Sequence, residues 1–189
     1  MKPGRRISAA LAVSSGLIVL SACGGKETPS GGAPAGPEPT HPPVAIEPSA
    51  SRPSGLKPGL KLTTFPNNMF TGPGETKGEA STLGFPCDQN PYNGKQVSLR
   101  YEGYLKVDKD GTYTFQITSD DESTLKLGSA TVLEHRESTR TKQAVAHLKV
   151  GYYPLVMDYQ NNVALACLTV EWSATDKDFV PIPPNQLLH

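Results

Sequence analysis

Residues 97–125 have the sequence VSLRYEGYLKVDKDGTYTFQITSDDESTL, and the residue pattern of this segment indicates the fold class. In its first half, apolar side chains alternate with polar ones, a period of two that predicts a half-buried β-strand. The residues expected on one face of this strand are Val97, Leu99, Tyr101, Gly103 and Leu105. Residues 108–111 (DKDG) have the composition of a turn, and the alternation resumes with Tyr113, Phe115 and Ile117. We therefore expect two strands that pair as a β-hairpin.

Short alternating runs continue towards the C-terminus. They cover 124–127, 130–134, 143–150, 153–159 and 164–172, with turn signals between them. No segment sustains the 3.6-residue period of an amphipathic helix. We predict that residues 59–189 form one all-β domain, an antiparallel β-sandwich or barrel, because strands at this spacing in about 130 residues can enclose a core. Residues 66–95 lack periodicity, so we expect a surface excursion that Cys87 partly holds in place.

The segment before this domain has a different composition. Residues 23–58 are rich in Pro, Gly, Ser, Ala and Thr, and nine of the 18 prolines fall between Pro29 and Pro58. Such a segment buries too little apolar surface to offset its ordering entropy, and its prolines favour extended conformations. We therefore expect residues 23–58 to form a disordered tether.

The first 22 residues have the layout of a secretory signal peptide. Lys2, Arg5 and Arg6 precede an uncharged, mostly apolar run over 7–20, which is too short to span a bilayer comfortably. The following residues 20–23 (LSAC) resemble the lipobox of bacterial lipoproteins. This resemblance implies cleavage before Cys23 and attachment to the lipid bilayer through the acylated Cys23. The alternative is an ordinary signal peptide that happens to contain a cysteine.

Two glycines follow Cys23, and no aspartate stands directly after the cysteine. In the enterobacterial sorting pattern, this arrangement favours the outer membrane over the inner membrane. We therefore expect a lipid-anchored protein of the cell envelope.

Charge and motifs exclude several function classes. Without Lys2, Arg5 and Arg6, 15 of the 18 basic residues remain against 18 acidic ones. A mature chain of net charge near −3 is a poor partner for nucleic acid, which requires a basic surface. The sequence contains no nucleophile elbow, no HExxH motif and no phosphate-binding glycine loop. We interpret the protein as a non-enzyme.

Three motifs within residues 97–125 resemble those of the protective-antigen-type domain, a β-sandwich first described in an anthrax toxin component. Bacterial glycosidases and yeast flocculin adhesins share this domain. The family pattern is R-aromatic-x-G, then G-x-Y-x-F, then S-D-D-x-S-x-L, and this chain has all three in order at 100–103, 111–115 and 119–125. Residues 148–155 (LKVGYYPL) and 182–187 (IPPNQL) match later parts of the pattern. The "I-D-G" turn of the family is only approximately kept, because Leu127-Gly128 stands in its place.

The resemblance implies a calcium site at Asp120 and Asp121. In the lectin branch of the family, two adjacent aspartates joined by a cis peptide bind Ca²⁺, and sugar hydroxyls occupy its open positions. The resemblance places the next ligand at Asn161 or Asn162, with backbone carbonyls near Val163 and Leu165. Ca²⁺ prefers six to eight oxygen ligands, which these groups supply. The alternative is that the two aspartates only cap a turn by hydrogen bonding to the backbone.

The remaining candidate residues are two cysteines, two histidines and several aromatic residues. An exported domain favours a Cys87–Cys167 disulfide, and two buried free thiols are the alternative. His135 and His147 lack metal-ligand spacing and are expected at the surface. The alternation along the predicted strands places Tyr101, Phe115 and Trp172 in the core. Possible ligand contacts are Tyr92 and Tyr104, followed by Phe70 and Phe85.

Three functions fit these predictions. The first is a non-catalytic, Ca²⁺-dependent carbohydrate-binding module on the cell envelope, with a glycan as partner. The second is a structural or protein-interaction domain of the periplasm or outer membrane, with an envelope protein as partner and no calcium. The third is a small hydrolase, which would need a pair of carboxylates across a cleft.

Overall fold

The computed structural model describes residues 42–49, 51–88, 91–136, 140–175 and 177–189. These residues form two β-sheets around one hydrophobic core, and no α-helix occurs among them. The predicted all-β sandwich is therefore confirmed. The signal peptide predicted over 1–22, Cys23 and the first part of the tether lie outside the described residues. In the part that is described, no helix is long and apolar enough to cross a membrane.

Thirteen strands and one short 3₁₀ turn, Pro184–Gln186, follow each other along the described residues. The strands are β1 (Val44–Ile46), β2 (Leu60–Phe65), β3 (Glu75–Ala80), β4 (Gly84–Phe85), β5 (Val97–Val107), β6 (Gly111–Asp120), β7 (Ser123–Leu127), β8 (Ala130–His135), β9 (Arg140–Leu148), β10 (Gly151–Asn161), β11 (Cys167–Ser173), β12 (Val180–Pro181) and β13 (Leu187–Leu188).

The described strands divide into a six-stranded and a seven-stranded sheet. The six-stranded sheet has the order β1-β9-β6-β11-β12, and β4 also pairs with β11. The seven-stranded sheet has the order β3-β2-β5-β10-β7-β8, and β13 also pairs with β5. All of these pairings are antiparallel except that of β1 with β9.

Much of the core consists of the alternating apolar residues that the sequence indicated, and Leu60, Leu83 and Ile182 join it from segments without predicted strands. Tyr101, Phe115 and Trp172 are buried, as predicted, and Trp172 stacks on Tyr113 at a ring-centroid distance of 4.9 Å. The prediction that His135 lies at the surface is wrong. It is fully buried, and its Nε2 lies 2.6 Å from the backbone oxygen of Arg140. The charged neighbours of this histidine in the sequence suggested exposure, but alternation along β8 turns its ring inward.

The predicted hairpin between residues 97–106 and 113–118 is wrong, although both strands exist. β5 pairs with β2, β10 and β13, whereas β6 pairs with β9 and β11 in the other sheet. The turn at 108–110 therefore carries the chain from one sheet to the other. Tyr113 stabilises this connection by donating a 2.7 Å hydrogen bond to the backbone oxygen of Lys109. The same local alternation occurs in a hairpin and in two strands that a turn connects across different sheets, so the pattern alone does not distinguish them.

The folded region begins earlier than the predicted boundary between residues 58 and 59. Residues 44–46, which we assigned to the tether, form the parallel edge strand β1 beside β9. Lys149 forms an ion pair with Glu47 at 2.9 Å, and Ser49 donates a backbone hydrogen bond to Tyr152. A three-residue strand in a proline-rich segment carries too short an alternation to be recognised from sequence.

The excursion predicted over 66–95 contains two strands, β3 and β4. β3 lies at the edge of the seven-stranded sheet, and five of its six residues are exposed. Because it buries neither face, its sequence carries no apolar alternation, which explains why it was not predicted. The two strands position the loops that surround the candidate site.

Candidate functional site

The two adjacent aspartates lie at one end of the sandwich, where β6 ends. Asp120 is the last residue of β6 and lies opposite Cys167 of β11. The peptide bond between Asp120 and Asp121 is cis, as the resemblance implied. Both side chains are half-buried. Asp121 accepts a 2.6 Å hydrogen bond from the backbone N–H of Asn162 on its Oδ2, which brings the turn after β6 next to the loop after β10.

The loop after β10 carries the two candidate asparagines, and their environments differ. Asn161 is fully buried, and its Nδ2 donates to the backbone oxygens of Lys95 at 2.7 Å and Tyr92 at 3.4 Å. Asn162 is exposed, and its Oδ1 accepts a short hydrogen bond from Asn68. The Nδ2 contacts fix the amide of Asn161, so its Oδ1 has a defined direction.

Tyr159 connects Asn161 with the aspartates. Its hydroxyl donates a short hydrogen bond to the backbone oxygen of Asp120 and lies 3.4 Å from Asn161 Oδ1. Burial raises the pKa of this hydroxyl well above its usual range, and the charges of Asp121 and Asp120 raise it further. Tyr159 therefore stays protonated as a donor, and the oxygen of Asn161 lies on the side of the aspartate pair.

A turn at residues 91–95 braces the loop that bears the candidate carbonyls. Gly94 donates its backbone N–H to the oxygen of Ala164 at 2.5 Å, and Asn93 Oδ1 accepts from the N–H of Ala166 at 2.8 Å. Val163 and Leu165 are well exposed on this braced loop, at 60% and 62%. Sequence reasoning did not assign Asn93 or Gly94, although an Asn-Gly pair is a common turn signal.

A disulfide joins Cys87 to Cys167, as predicted. Cys167 begins β11 directly after the braced loop, and its backbone N–H donates to the Tyr159 hydroxyl at 3.3 Å. β4, next to Cys87 in sequence, also pairs with β11 through Phe85 and Leu168. The crosslink therefore fixes the C-terminal end of the loop beside Asp120.

A third loop approaches the site from β2. Asn67 holds it together by accepting from the backbone N–H groups of Met69 and Thr71 at 2.9 and 3.2 Å. Phe70 packs beneath the guanidinium of Arg100 at 5.1 Å. This arrangement places Asn68 against Asn162 and leaves Met69 exposed beside it. Nothing in the sequence pattern marked this loop, because its order depends on side-chain contacts with β5.

The structure brings only one of the two predicted tyrosines to the site. Tyr92 is half-buried, packs against Phe85 in a tilted ring contact at 5.1 Å and lies in the bracing turn. Tyr104 lies opposite Pro154 on β5 and β10, whereas Ser98 lies opposite Gln160 next to the site. Six residues of strand separate these two positions, which corresponds to about 20 Å. Tyr104 is therefore remote from the aspartates.

The oxygen atoms that could act as metal ligands at this site suit a hard cation. The site offers carboxylate, amide and backbone oxygens, which are the ligands that Ca²⁺ prefers in proteins. Among the described residues, no group of three or more His, Cys, Asp and Glu side chains converges to hold a metal. A cation here would therefore take two carboxylates and draw its other ligands from Asn161 and the carbonyls of the braced loop.

Three structurally similar proteins share this fold. An anti-sigma factor domain-containing protein from Clostridium clariflavum is 22% identical, with 76% of this chain and 52% of that chain covered and a TM-score of 0.60. The epithelial adhesin 9 A domain from Candida glabrata is 13% identical, with 75% and 94% covered and a TM-score of 0.58. The PA14 domain of the MpAFP antifreeze protein is 15% identical, with 74% and 95% covered and a TM-score of 0.53.

These similarities concern the fold. The chain spans about half the length of the two anti-sigma factor domain-containing proteins, 48% and 52%. No curated protein matches the chain. The family model of the PA14 domain matches residues 56–186, which covers the two sheets apart from β1 and the last residues. The chain therefore belongs to the PA14 domain family.

Proposed function

We propose that this protein is a non-catalytic carbohydrate-binding module that recognises its glycan through Ca²⁺. Asp120, Asp121 and Asn161 would hold the ion through side-chain oxygens, and Val163 and Leu165 would add backbone carbonyls. The observation that carries the proposal is the contact between Asp121 and the loop after β10, which brings two carboxylates and a fixed amide to one end of the sandwich.

The surroundings of this end are suited to a sugar. Bound Ca²⁺ would supply open coordination positions for vicinal hydroxyls. Met69, Val163 and Leu165 are exposed at 68%, 60% and 62%, and they offer apolar surface next to the polar site. The epithelial adhesin 9 A domain, a member of the same fold group, was solved in complex with Galβ1-3GlcNAc and with Galβ1-4GlcNAc. These adhesin complexes support a glycan as the class of ligand here.

Glycan binding is expected to require calcium and the charge of Asp121. We expect the protein to bind at least one member of a panel of galactose-, glucose-, mannose- and fucose-containing disaccharides in millimolar calcium, and to lose binding at least tenfold in chelator. Asp121→Asn should cause the same loss, because it keeps an acceptor for the Asn162 N–H but removes a negative charge. Calorimetric titration measures both effects.

A matched control for this experiment is Asp108→Asn. Asp108 lies about 30 Å from Asp120, beyond the other end of β6, and it is paired with Lys106 at the surface. This variant should bind like the unmodified protein. Binding that persists in chelator, or an absence of binding across the whole panel, would contradict the proposal and favour a protein partner.

The module is further proposed to be held on the cell envelope, with the outer membrane favoured, by a lipid on Cys23. The support is the charged start of the chain, the apolar run over 7–20 and the LSAC sequence at 20–23. Cys23→Ser should move the protein from the membrane fraction to the soluble fraction and abolish labelling by an alkynyl palmitate. A variant that stays membrane-bound and labelled would show that Cys23 is not the anchor.

A further inference from the structure

A cleft of about 560 Å³ adjoins the bracing turn, whose residues Pro91, Tyr92 and Lys95 line it. One wall is the end of β2 and the overhanging edge strand β3, and the opposite wall is the segment 91–97. Thr64 is paired with both Leu99, which is fully buried, and Glu75. Glu75 therefore projects to the inner side of the sheet. The cleft is thus an opening under an edge strand, within the size range of small-molecule sites.

The lining combines flat apolar surface with charge. Phe65, Tyr92 and three prolines, Pro66, Pro73 and Pro91, supply the apolar part. The charged side chains that line the cleft are Glu75, Lys77 and Lys95. Lys77 is paired with Glu75 at 3.6 Å, whereas Lys95 forms no ion pair within the described residues. The cleft therefore carries an excess of positive charge.

This local charge has the opposite sign to that of the chain. The region after residue 22 has 15 basic against 18 acidic residues, so a cleft with two lysines and one glutamate departs from the average surface. Charge complementarity selects an anionic ligand here. Ring surfaces and prolines match the C–H faces of a pyranose, and Gln96 at the rim can bond to hydroxyls.

We propose that this cleft is a second, calcium-independent binding site for an acidic saccharide unit, a sugar ring that bears a carboxylate. Lys95 binds the carboxylate, Tyr92 and the prolines contact the ring, and Glu75 and Gln96 bond to hydroxyls. The site is separate from the aspartate pair because its lining includes none of Asp120, Asp121 and Asn161.

The two sites share the segment 91–97. Residues of this segment line the cleft, and its backbone oxygens at Tyr92 and Lys95 accept hydrogen bonds from the amide of Asn161. The same segment therefore supports both sites. The cleft proposal does not require that the calcium site exists, and it is tested without calcium.

The test is an NMR titration of the purified protein with trigalacturonate in EDTA at low salt. We expect chemical-shift changes at Lys77, Gln96 and Val97, with little change at Asp121 and Asn162. Maltotriose, a neutral trisaccharide, should bind much more weakly. Lys95→Gln should weaken trigalacturonate binding about fivefold, because a charge-assisted contact at an exposed site is lost.

Lys126→Gln is the matched control, since Lys126 is an exposed lysine on β7 of the same sheet and does not line the cleft. It should bind trigalacturonate like the unmodified protein. Unchanged amide spectra of the Lys95→Gln protein without ligand would show that the fold is intact, as expected because the substitution keeps the Lys95 carbonyl. The proposal is overturned if trigalacturonate leaves the cleft amides unchanged, if maltotriose binds equally well, or if Lys95→Gln has no effect.

Discussion

Reduction of the Cys87–Cys167 disulfide is expected to lower the free energy of unfolding by about 4 kcal/mol. The bond joins positions 80 residues apart, so it excludes many conformations of the unfolded chain. The expected loss is large compared with the total stability of a single domain, which is typically about 5–15 kcal/mol. We therefore expect the reduced protein to be only marginally folded.

Urea unfolding of the oxidised protein, the protein reduced with a phosphine, and a Cys87→Ser/Cys167→Ala variant measures this effect. Reduction and substitution should give similar losses, since both remove the crosslink and the alanine places no polar group at the buried position 167. A loss below about 1 kcal/mol in both forms would show that the disulfide does not stabilise the fold through the unfolded chain.

Calcium is expected to stabilise the protein by about 2.7 kcal/mol at a concentration 100 times its dissociation constant. The reason is linkage, because the two aspartates and Asn161 converge only in the folded state. The gain should vanish in Asp121→Asn. Thermal unfolding with calcium and with chelator measures it, and a melting temperature that calcium leaves unchanged would contradict the expectation.

The sequence left open whether Asn161 or Asn162 is the calcium ligand, and substitution of each asparagine distinguishes the two. Asn161→Ala should abolish the calcium effect and also cost about 1–3 kcal/mol in chelator, because it removes a buried side chain that donates to the backbone oxygens of Lys95 and Tyr92. Asn162→Ala should cost little and keep the calcium effect, since the contact of Asn162 with Asp121 is made by the backbone N–H. The reverse result would assign the ligand to Asn162.

The seven strands from β5 to β11 could be predicted, but their pairing could not. Alternation located β5 and β6 because each buries one face, and it identified Phe115 and Trp172 as core residues. It did not show that β5 and β6 belong to different sheets, because pairing depends on contacts between distant segments. β1 and β3 were missed because a three-residue strand and an exposed edge strand leave no period in the sequence.

Part of the candidate site was accessible from sequence for a different reason. The aspartates and the asparagines stand in motifs that resemble a known family, so their residue types and order were enough. The turn at Asn93 and Gly94 and the loop that presents Asn68 act through long-range hydrogen bonds to 162–166. Such contacts appear only when the fold is known, as does the cleft beside Lys95.

The proposed calcium site is tested most directly by a calorimetric titration of Ca²⁺ into the purified protein and its Asp121→Asn variant. We expect one ion per chain for the unmodified protein, no binding in Asp121→Asn, and unchanged binding in the Asp108→Asn control. An absence of calcium binding at millimolar concentrations, or equal binding by Asp121→Asn, would contradict the proposed site. In that case Asp120 and Asp121 would only support the turn after β6.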